Sequence, residues 1–407
     1  MPEWSIPNQE VDWSSVSHAY GPATEIPSLL RSVRSGSQQV RQRAYQELAG
    51  LVVDQGSRFE ASAAVAPYLI QLVADPGAPD RFAACQVLAA IAVGDDSSWL
   101  SDPVHPAHLR SEANRRALMS RDELEEEHRA WIAAAPNEEE RSARARRAEW
   151  GDVEADRDEE RWTIQAYDAV RAGVPVYVAA LAAPEAAVRL YAAYLLAWFP
   201  EDGETIIPAM TRLIREERDP IVVSTACVAA GLVGAPGDEA LIEALSARRG
   251  SPNRGESWSA VLGLSRVITR PDRSLVRDLY SCLLEATGPV PHWPFLDGDM
   301  SAMAAFSIRD LGPELARDRV EVLVERVVNA SESTDVFLLL TAMLDAAFPA
   351  GPVPDGAGFD ELAAEQQMAL LALLESNLLQ AGPMVPMLLG RYNLPQTEPK
   401  LQAWCGR

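Results

Sequence analysis

The chain has 407 residues, of which 48% are apolar, and its 36 Lys and Arg against 59 Asp and Glu give a formal net charge of −23. This charge excludes the usual nucleic-acid groove, because such a groove needs clustered cations to displace counterions from phosphates. It favours a protein or peptide partner with a basic surface, and a small molecule also stays open as a ligand.

The termini, apolar runs and cysteines predict the compartment. No apolar run reaches the roughly 18 residues of a membrane span, and the N-terminus lacks a signal-peptide pattern. The four cysteines, Cys85, Cys227, Cys282 and Cys405, form no CxxC pair. Free thiols in apolar frames suit a reducing compartment. We therefore expect a cytoplasmic protein that has no contact with a membrane.

Five prolines recur in one apolar frame along the chain. In every copy the residues at positions −1, +2 and +6 from the proline are apolar or aromatic, which places them on one face of an α-helix. Proline suits the first turn of a helix, where its missing N–H has no partner. The frame therefore predicts five helices that begin at the proline. The prolines are Pro27, Pro67, Pro175, Pro208 and Pro386.

A second helical pattern, rich in Ala, Gly and branched apolar residues, alternates with the first. Two copies superimpose at an offset of 36 residues, with Pro184 on Pro220 and Leu196 on Leu232. Alternating helices at a fixed period are typical of a repeat array. The copies are residues 40–52, 81–93, 186–199, 221–233 and 257–268.

The array is interrupted by a charged segment and then resumes. Residues 110–161 contain 11 Arg and 16 Asp or Glu with few apolar residues, which predicts one or two long, partly exposed helices. Its basic run, residues 141–147, lies between acidic runs, and ion pairs four residues apart would explain it. We predict repeats over 1–100, a charged helical insertion over 101–161, central repeats over 162–348 and capping helices over 349–407.

Four sequence motifs resemble those of HEAT-repeat proteins, in particular the largely uncharacterised HEAT-repeat domain proteins common in actinobacterial genomes. They occupy residues 18–23 (HAYGPA), 54–59 (DQGSRF), 166–175 (AYDAVRAGVP) and 197–201 (AWFPE). The resemblance implies an all-α, right-handed HEAT-like α-solenoid with an inserted charged helical segment. The 36-residue offset and the chain length give roughly eight helix pairs. It implies no catalytic residue, because such arrays serve as scaffolds, inhibitors and occasionally enzymes.

The candidate binding residues fall into loops and aromatic positions. His18 and Tyr20 come just before the first proline-started helix, and Gln55 and Arg58 lie in a connection between repeat helices. Capping and loop hydrogen bonds would also explain all four. The loop 288–298 and the residue after it supply His292, Trp293, Asp297 and Asp299, which have the composition of a binding surface. The alternative is that Trp293 and Phe295 fold under this loop and fill a gap. Trp162 and Trp258 are further candidates.

A metal site is a weaker hypothesis. Asp102, His105 and His108 form a D-x-x-H-x-x-H run, and His128 on the following helix could add a ligand. Helix capping and loop hydrogen bonds explain the same residues without a metal. We therefore assign neither a metal nor another cofactor.

The leading functional hypothesis is a non-catalytic binding or scaffold protein whose acidic concave solenoid surface receives a protein or peptide. A toxin domain with a basic active site is one such partner. The alternative is an enzyme or small-molecule-binding protein of a bacterial biosynthetic pathway, with its pocket between the insertion and the concave helices. The sequence contains neither a G-x-S-x-G elbow nor a phosphate-binding glycine loop that would name a reaction.

Overall fold

The structure, a computed structural model, describes residues 11–101, 105–135, 137–330, 336–376, 378–380 and 384–407. In this part of the chain the fold is all-helical, with 22 α-helices, several short 3-10 helices and a helical content of 71%. The helices are α1 (Ile26–Ser32), α2 (Gln38–Val52), α3 (Glu60–Ala74), α4 (Arg81–Val93), α5 (Asp96–Ser101), α6 (Pro106–Ala117), α7 (Arg121–Ala133), α8 (Glu138–Trp150), α9 (Val153–Arg171), α10 (Val174–Ala180), α11 (Ala186–Leu196), α12 (Gly203–Glu216), α13 (Pro220–Val233), α14 (Glu239–Arg249), α15 (Arg254–Val267), α16 (Arg273–Glu285), α17 (Met300–Arg309), α18 (Ala316–Val328), α19 (Val336–Ala347), α20 (Ala364–Glu375), α21 (Met384–Arg391) and α22 (Glu398–Trp404).

Two short antiparallel hairpins are the strands found in the described residues. One pairs β1 (Ser17–His18) with β2 (Gly21–Pro22), and the other pairs β3 (Val53–Asp54) with β4 (Ser57–Arg58). None of the helices in the described ranges has the length and apolar character needed to cross a membrane.

Contacts group the described residues into two compact units. Unit 1 comprises those within Met1–Trp99, Pro103–Leu118 and Ala155–Thr269, and unit 2 comprises those within Leu100–Asp102, Met119–Glu154 and Arg270–Arg407. The charged segment is therefore shared between the units.

Unit 1 is built from helix pairs arranged in two layers. Its pairs are α1 with α2, α3 with α4, α10 with α11, α12 with α13, and α14 with α15. The second helices pack in the order α2, α4, α11, α13, α15, and the first helices α3, α10, α12 and α14 likewise follow one another. From α3 and α4 onward, each pair thus contacts the next through both layers, which is the packing that an α-solenoid has.

The helix pairs that come before and after the insertion in the sequence still pack against each other. Helix α3 packs on α10 and α4 packs on α11, although α5 to α9 lie between them in the sequence. Instead of one or two long helices, the charged segment forms the shorter α6, α7 and α8 and the first half of α9.

The proline frame is correct about burial and partly wrong about helix starts. At positions −1, +2 and +6 all residues are buried except Leu29, which is half-buried. Pro27 and Pro175 lie in the first turn of α1 and α10. Pro67 and Pro208 instead lie inside α3 and α12, because the preceding Ala-rich and Ile-containing residues extend each helix by more than a turn.

The second helices are apolar on nearly every side. All residues from Val222 to Gly231 of α13 are buried, and so are those from Ser259 to Leu264 of α15. Their backbones approach each other where glycines face: a Cβ added at Gly231 would lie 2.6 Å from the Cα atom of Gly263. Small residues therefore set the spacing between α13 and α15.

Arginines in the first turns of second helices join successive pairs of unit 1. Each of these arginines forms an ion pair with the next helix pair. In addition, Arg41 donates to the carbonyl oxygen of Ser35 at 2.9 Å, and Arg189 donates to that of Ala183 at 2.8 Å. A planar guanidinium can hold a carbonyl and a carboxylate at once, which an ammonium does poorly. The ion pairs to the next helix pair are Arg41–Asp80 (2.6 Å), Arg81–Glu185 (3.7 Å) and Arg189–Glu217 (2.6 Å).

Unit 2 repeats the paired arrangement. Helix α16 packs on α17 and α18 on α19, while α18 also packs on α20. The buried Arg319 of α18 donates to the carbonyl oxygens of Arg309, Leu311 and Ala346 at 3.1, 2.7 and 3.3 Å. One side chain thus satisfies C-terminal carbonyls of both α17 and α19.

Three of the four thiols are expected to be inert in the native protein. Cys85, Cys227 and Cys282 are fully buried, and burial raises the pKa of the first two to about 12 and also raises that of Cys282. Only the thiolate reacts with disulfide reagents. We expect one rapidly reacting thiol in a native titration with a chromogenic disulfide, lost in Cys405→Ser, and four in denaturant. Rapid reaction of a second thiol in the native protein would contradict this burial.

Candidate functional site

His18 and Tyr20 belong to the first hairpin, which precedes α1. The His18 ring is buried, its Nδ1 accepts the Tyr20 N–H at 3.0 Å, and its Nε2 lies 3.0 Å from Oε1 of Glu25. Because Nδ1 accepts, Nε2 carries the proton and donates it to the carboxylate. His18 therefore positions Glu25 and does not itself face a ligand.

Tyr20 stands at the edge of a cleft that the hairpin forms with α1 and α2. Tyr20 is 72% exposed, and its hydroxyl donates to Asp54 at 3.3 Å. The cleft has a volume of ≈ 480 Å³, and its lining includes Tyr20, Glu25, Leu29 and Glu47 but no lysine or arginine of the described chain. We call it the tyrosine cleft.

Both carboxylates in this cleft are available to a cation. The pKa of Glu25 is lowered by its own backbone N–H and by His18, against the opposing effect of burial. Glu47 is exposed on α2. The sequence pointed to Tyr20 but missed the two glutamates, because nothing marks which residues of α1 and α2 face the hairpin.

Gln55 and Arg58 belong to the second hairpin, where Gln55 is exposed and Arg58 is buried. Gln55 and Gly56 have φ of 48° and 85°, as a tight two-residue hairpin turn requires. Arg58 is buried, and its Nη1 donates to the carbonyl oxygens of Gly56 and of Val93, the latter at 3.3 Å. Burial lowers the pKa of Arg58. This guanidinium caps the end of α4 and is closed off from solvent.

The two tryptophan candidates lie apart from the hairpins in half-buried positions. Trp162 lies on α9 and Trp258 on α15. The Arg254 guanidinium lies 5.1 Å from the centre of the Trp258 ring, so one face of that ring is already occupied.

The loop before α17 buries its aromatic residues. Trp293 is 2% exposed and Phe295 is fully buried, with their ring centres 5.4 Å apart. The rings therefore fill the interior of unit 2, as in the second interpretation of this loop. His292 and Asp297 are exposed, whereas Asp299 accepts the Ala302 N–H at 2.9 Å and caps α17.

The described metal candidates, His105, His108 and His128, do not form a ligand cluster. Asp102 lies outside the described residues, His105 and His108 are exposed at the start of α6, and His128 packs edge-on against Trp131 with ring centres 5.4 Å apart. Within the described ranges, no three His, Cys, Asp or Glu side chains are close enough together to hold a metal ion.

An ion-pair network that the sequence did not reveal joins α6, α9 and the turn after α11. Arg110 binds Asp168 through two hydrogen bonds of 2.6 and 3.0 Å and also binds Glu201 at 3.0 Å. Tyr167 donates to the carbonyl oxygen of Trp198 and to Glu201 at 2.9 and 3.0 Å, and burial raises its pKa. The residues that carry the HEAT resemblance here thus hold the array together.

A second cleft lies within unit 2, where α7 and α8 face α21. Its volume is ≈ 920 Å³, and we call it the arginine cleft after Trp131, Arg144, Arg146, Arg147, Met387 and Arg391, which line it together with a single carboxylate, Glu140. Arg144 and Arg147 lie 4.9 and 5.5 Å from the centre of the Trp131 ring. The basic run of residues 141–147 was the only sequence signal for this cleft.

The predicted site residues are divided between unit 1 and unit 2. His18, Tyr20, Gln55 and Arg58 lie in neighbouring hairpins, while His292, Trp293, Asp297 and Asp299 share one loop of unit 2. Comparison with models of known protein families gives no match, and comparison with curated protein sequences gives none either.

Proposed function

We propose that the protein is a non-catalytic binding protein that receives a basic side chain of a protein or peptide partner in the tyrosine cleft. The observation that carries this proposal is the exposed Tyr20 ring beside Glu25 and Glu47, in a cleft that no described cation lines. An aromatic face and carboxylates together attract an arginine or lysine. The net charge of −23 steers such a partner toward the protein.

Several observations support a binding role over catalysis. The burial of Cys85, Cys227 and Cys282 with raised pKa values removes them as nucleophiles. His18 is engaged at both ring nitrogens. The second helices α13 and α15 are mostly buried, which favours a cleft at the hairpin side over the broad concave surface that the sequence suggested. A toxin domain with a basic active site has the required chemistry.

For the architecture we propose a right-handed, HEAT-like solenoid of roughly eight helix pairs. The ordered contacts of the pairs in unit 1 and the equivalent pairing in unit 2 support it. The four motifs that resemble HEAT-repeat proteins support it as well.

The test is binding of a fluorescein-labelled, arginine-rich peptide, followed by fluorescence anisotropy. We expect Tyr20→Ala and Glu47→Gln each to weaken binding by on the order of fivefold, because each removes one direct contact with the cation. Glu239→Gln is the matched control, since it changes the net charge equally at an exposed site of α14 outside the cleft.

The Glu239→Gln control distinguishes binding in the tyrosine cleft from attraction by the net charge of the protein. If Glu239→Gln weakens binding as much as Glu47→Gln, the peptide responds only to the net charge and the proposed site is wrong. Failure of the peptide to bind at all would also count against it. An acidic peptide of equal length should not bind.

A further inference from the structure

We infer that the arginine cleft of unit 2 binds a small organic anion that joins a phosphate group to an aromatic body. This site is independent of the tyrosine cleft and calls for a ligand of the opposite charge. Four arginines and one carboxylate line the cleft in a chain whose net charge is −23. A local excess of cations within an acidic protein attracts anions to that place alone.

Among the described residues, two of the cleft arginines have no carboxylate within ion-pair distance. Arg144 and Arg147 share Glu140, whose Oε1 lies 3.0 and 2.9 Å from their nitrogens. Arg146 and Arg391 are exposed, and neither forms an ion pair within the described part of the chain. Two unpaired guanidinium groups supply the donors that a phosphate dianion needs.

The cleft also offers apolar surface that a simple anion would not use. Trp131 is 41% exposed and Met387 is 55% exposed. Both Trp and Met contact aromatic rings favourably, so these two side chains can pack against an aromatic ligand. The volume of ≈ 920 Å³ is in the range of sites for small organic molecules.

Hydrogen bonds connect the segments that form the arginine cleft. The side chains of Asn137, which caps α8, and Asn393, which follows α21, are hydrogen-bonded to each other. Asn393 also donates to the carbonyl oxygen of Val353 at 2.7 Å. Arg144 in turn donates to the Trp131 carbonyl oxygen at 2.6 Å. A cleft that is held open in advance binds its ligand at a lower entropic cost.

The experiment compares three probes by isothermal titration calorimetry on the full chain: 1-naphthyl phosphate, 1-naphthol and inorganic phosphate. We expect 1-naphthyl phosphate to bind at least tenfold more tightly than either of the others, because only this probe uses both the arginines and the apolar surface. If inorganic phosphate binds equally tightly, the site is a simple anion site. If 1-naphthol binds equally tightly, the site is an apolar groove. Either result would overturn the inference.

Variants locate the binding. Arg146→Gln and Arg391→Gln should each weaken 1-naphthyl phosphate binding by roughly tenfold, the usual effect of losing one charge-assisted contact. Arg141→Gln is the matched control, because Arg141 lies on the same helix and is paired with Glu138 away from the cleft. If the control weakens binding as much as the two cleft variants, or if both cleft variants bind as the wild type does, the ligand is elsewhere and the inference fails.

Discussion

Gly231→Ala is expected to lower the free energy of unfolding by about 3 kcal/mol, since overpacking against a backbone cannot be relieved by rotating a side chain. The added Cβ would lie 2.6 Å from the Gly263 Cα atom and 2.9 Å from its carbonyl oxygen. Helices α13 and α15 would have to move apart along their whole contact. The measurement is the urea unfolding midpoint followed by circular dichroism.

Gly50→Ala is the matched control for this prediction. Gly50 is the third residue from the end of α2, as Gly231 is in α13, and a Cβ there meets no atom within 4 Å. Alanine should therefore stabilise α2 by about 0.5 to 1 kcal/mol through helix propensity. If both substitutions stabilise the protein, the close approach of α13 and α15 is wrong.

Arg319→Lys is expected to destabilise unit 2 by about 3 kcal/mol, despite the conserved charge. The guanidinium donates to three backbone carbonyls in different directions, and an ammonium cannot reach all of them at once. Two of the acceptors, Leu311 and Ala346, are buried residues, and a buried carbonyl left without a partner costs about 1 to 3 kcal/mol. A drop in the thermal unfolding midpoint checks this prediction.

Arg317→Lys, two residues earlier on α18, provides the comparison. The Arg317 side chain is 71% exposed and is paired with Glu321 at 2.7 Å. Its replacement should change the stability by less than about 0.5 kcal/mol, because exposed ion pairs contribute little. Equal effects of the two substitutions would mean that Arg319 contributes through its charge alone and not through its three hydrogen bonds.

The helices were predictable because their apolar positions repeat. The range 81–93 coincides with α4, and 221–233 differs from α13 by one residue at its start. Helix starts were less predictable, because a proline of this frame lies in the first turn of α1 but another lies inside α3. A missing N–H is harmless at a helix start, but packing of the preceding turn can outweigh its loss further along.

Only single residues of the candidate sites were predictable from the sequence. The exposure of Tyr20 agrees with its choice as a binding residue, whereas Arg58 and Trp293 are buried. A side chain in a loop motif can turn inward or outward with the same local sequence, and only the tertiary packing decides between them. The arginine cleft is lined by α8 and α21, which are more than 200 residues apart in the sequence. No local sequence pattern indicates that two such distant helices lie side by side.

The detour of the chain between α4 and α10 has a consequence for how unit 1 folds. Roughly 80 residues separate these helices, although their pairs are neighbours in the array. Closing a loop of that length, compared with a connection of a few residues, costs about 2 to 3 kcal/mol of chain entropy. The contacts on either side of the detour are local, so each side should gain structure first and the α4–α11 interface last. Pulsed hydrogen exchange during refolding should find amides at that interface protected later than those between α13 and α15.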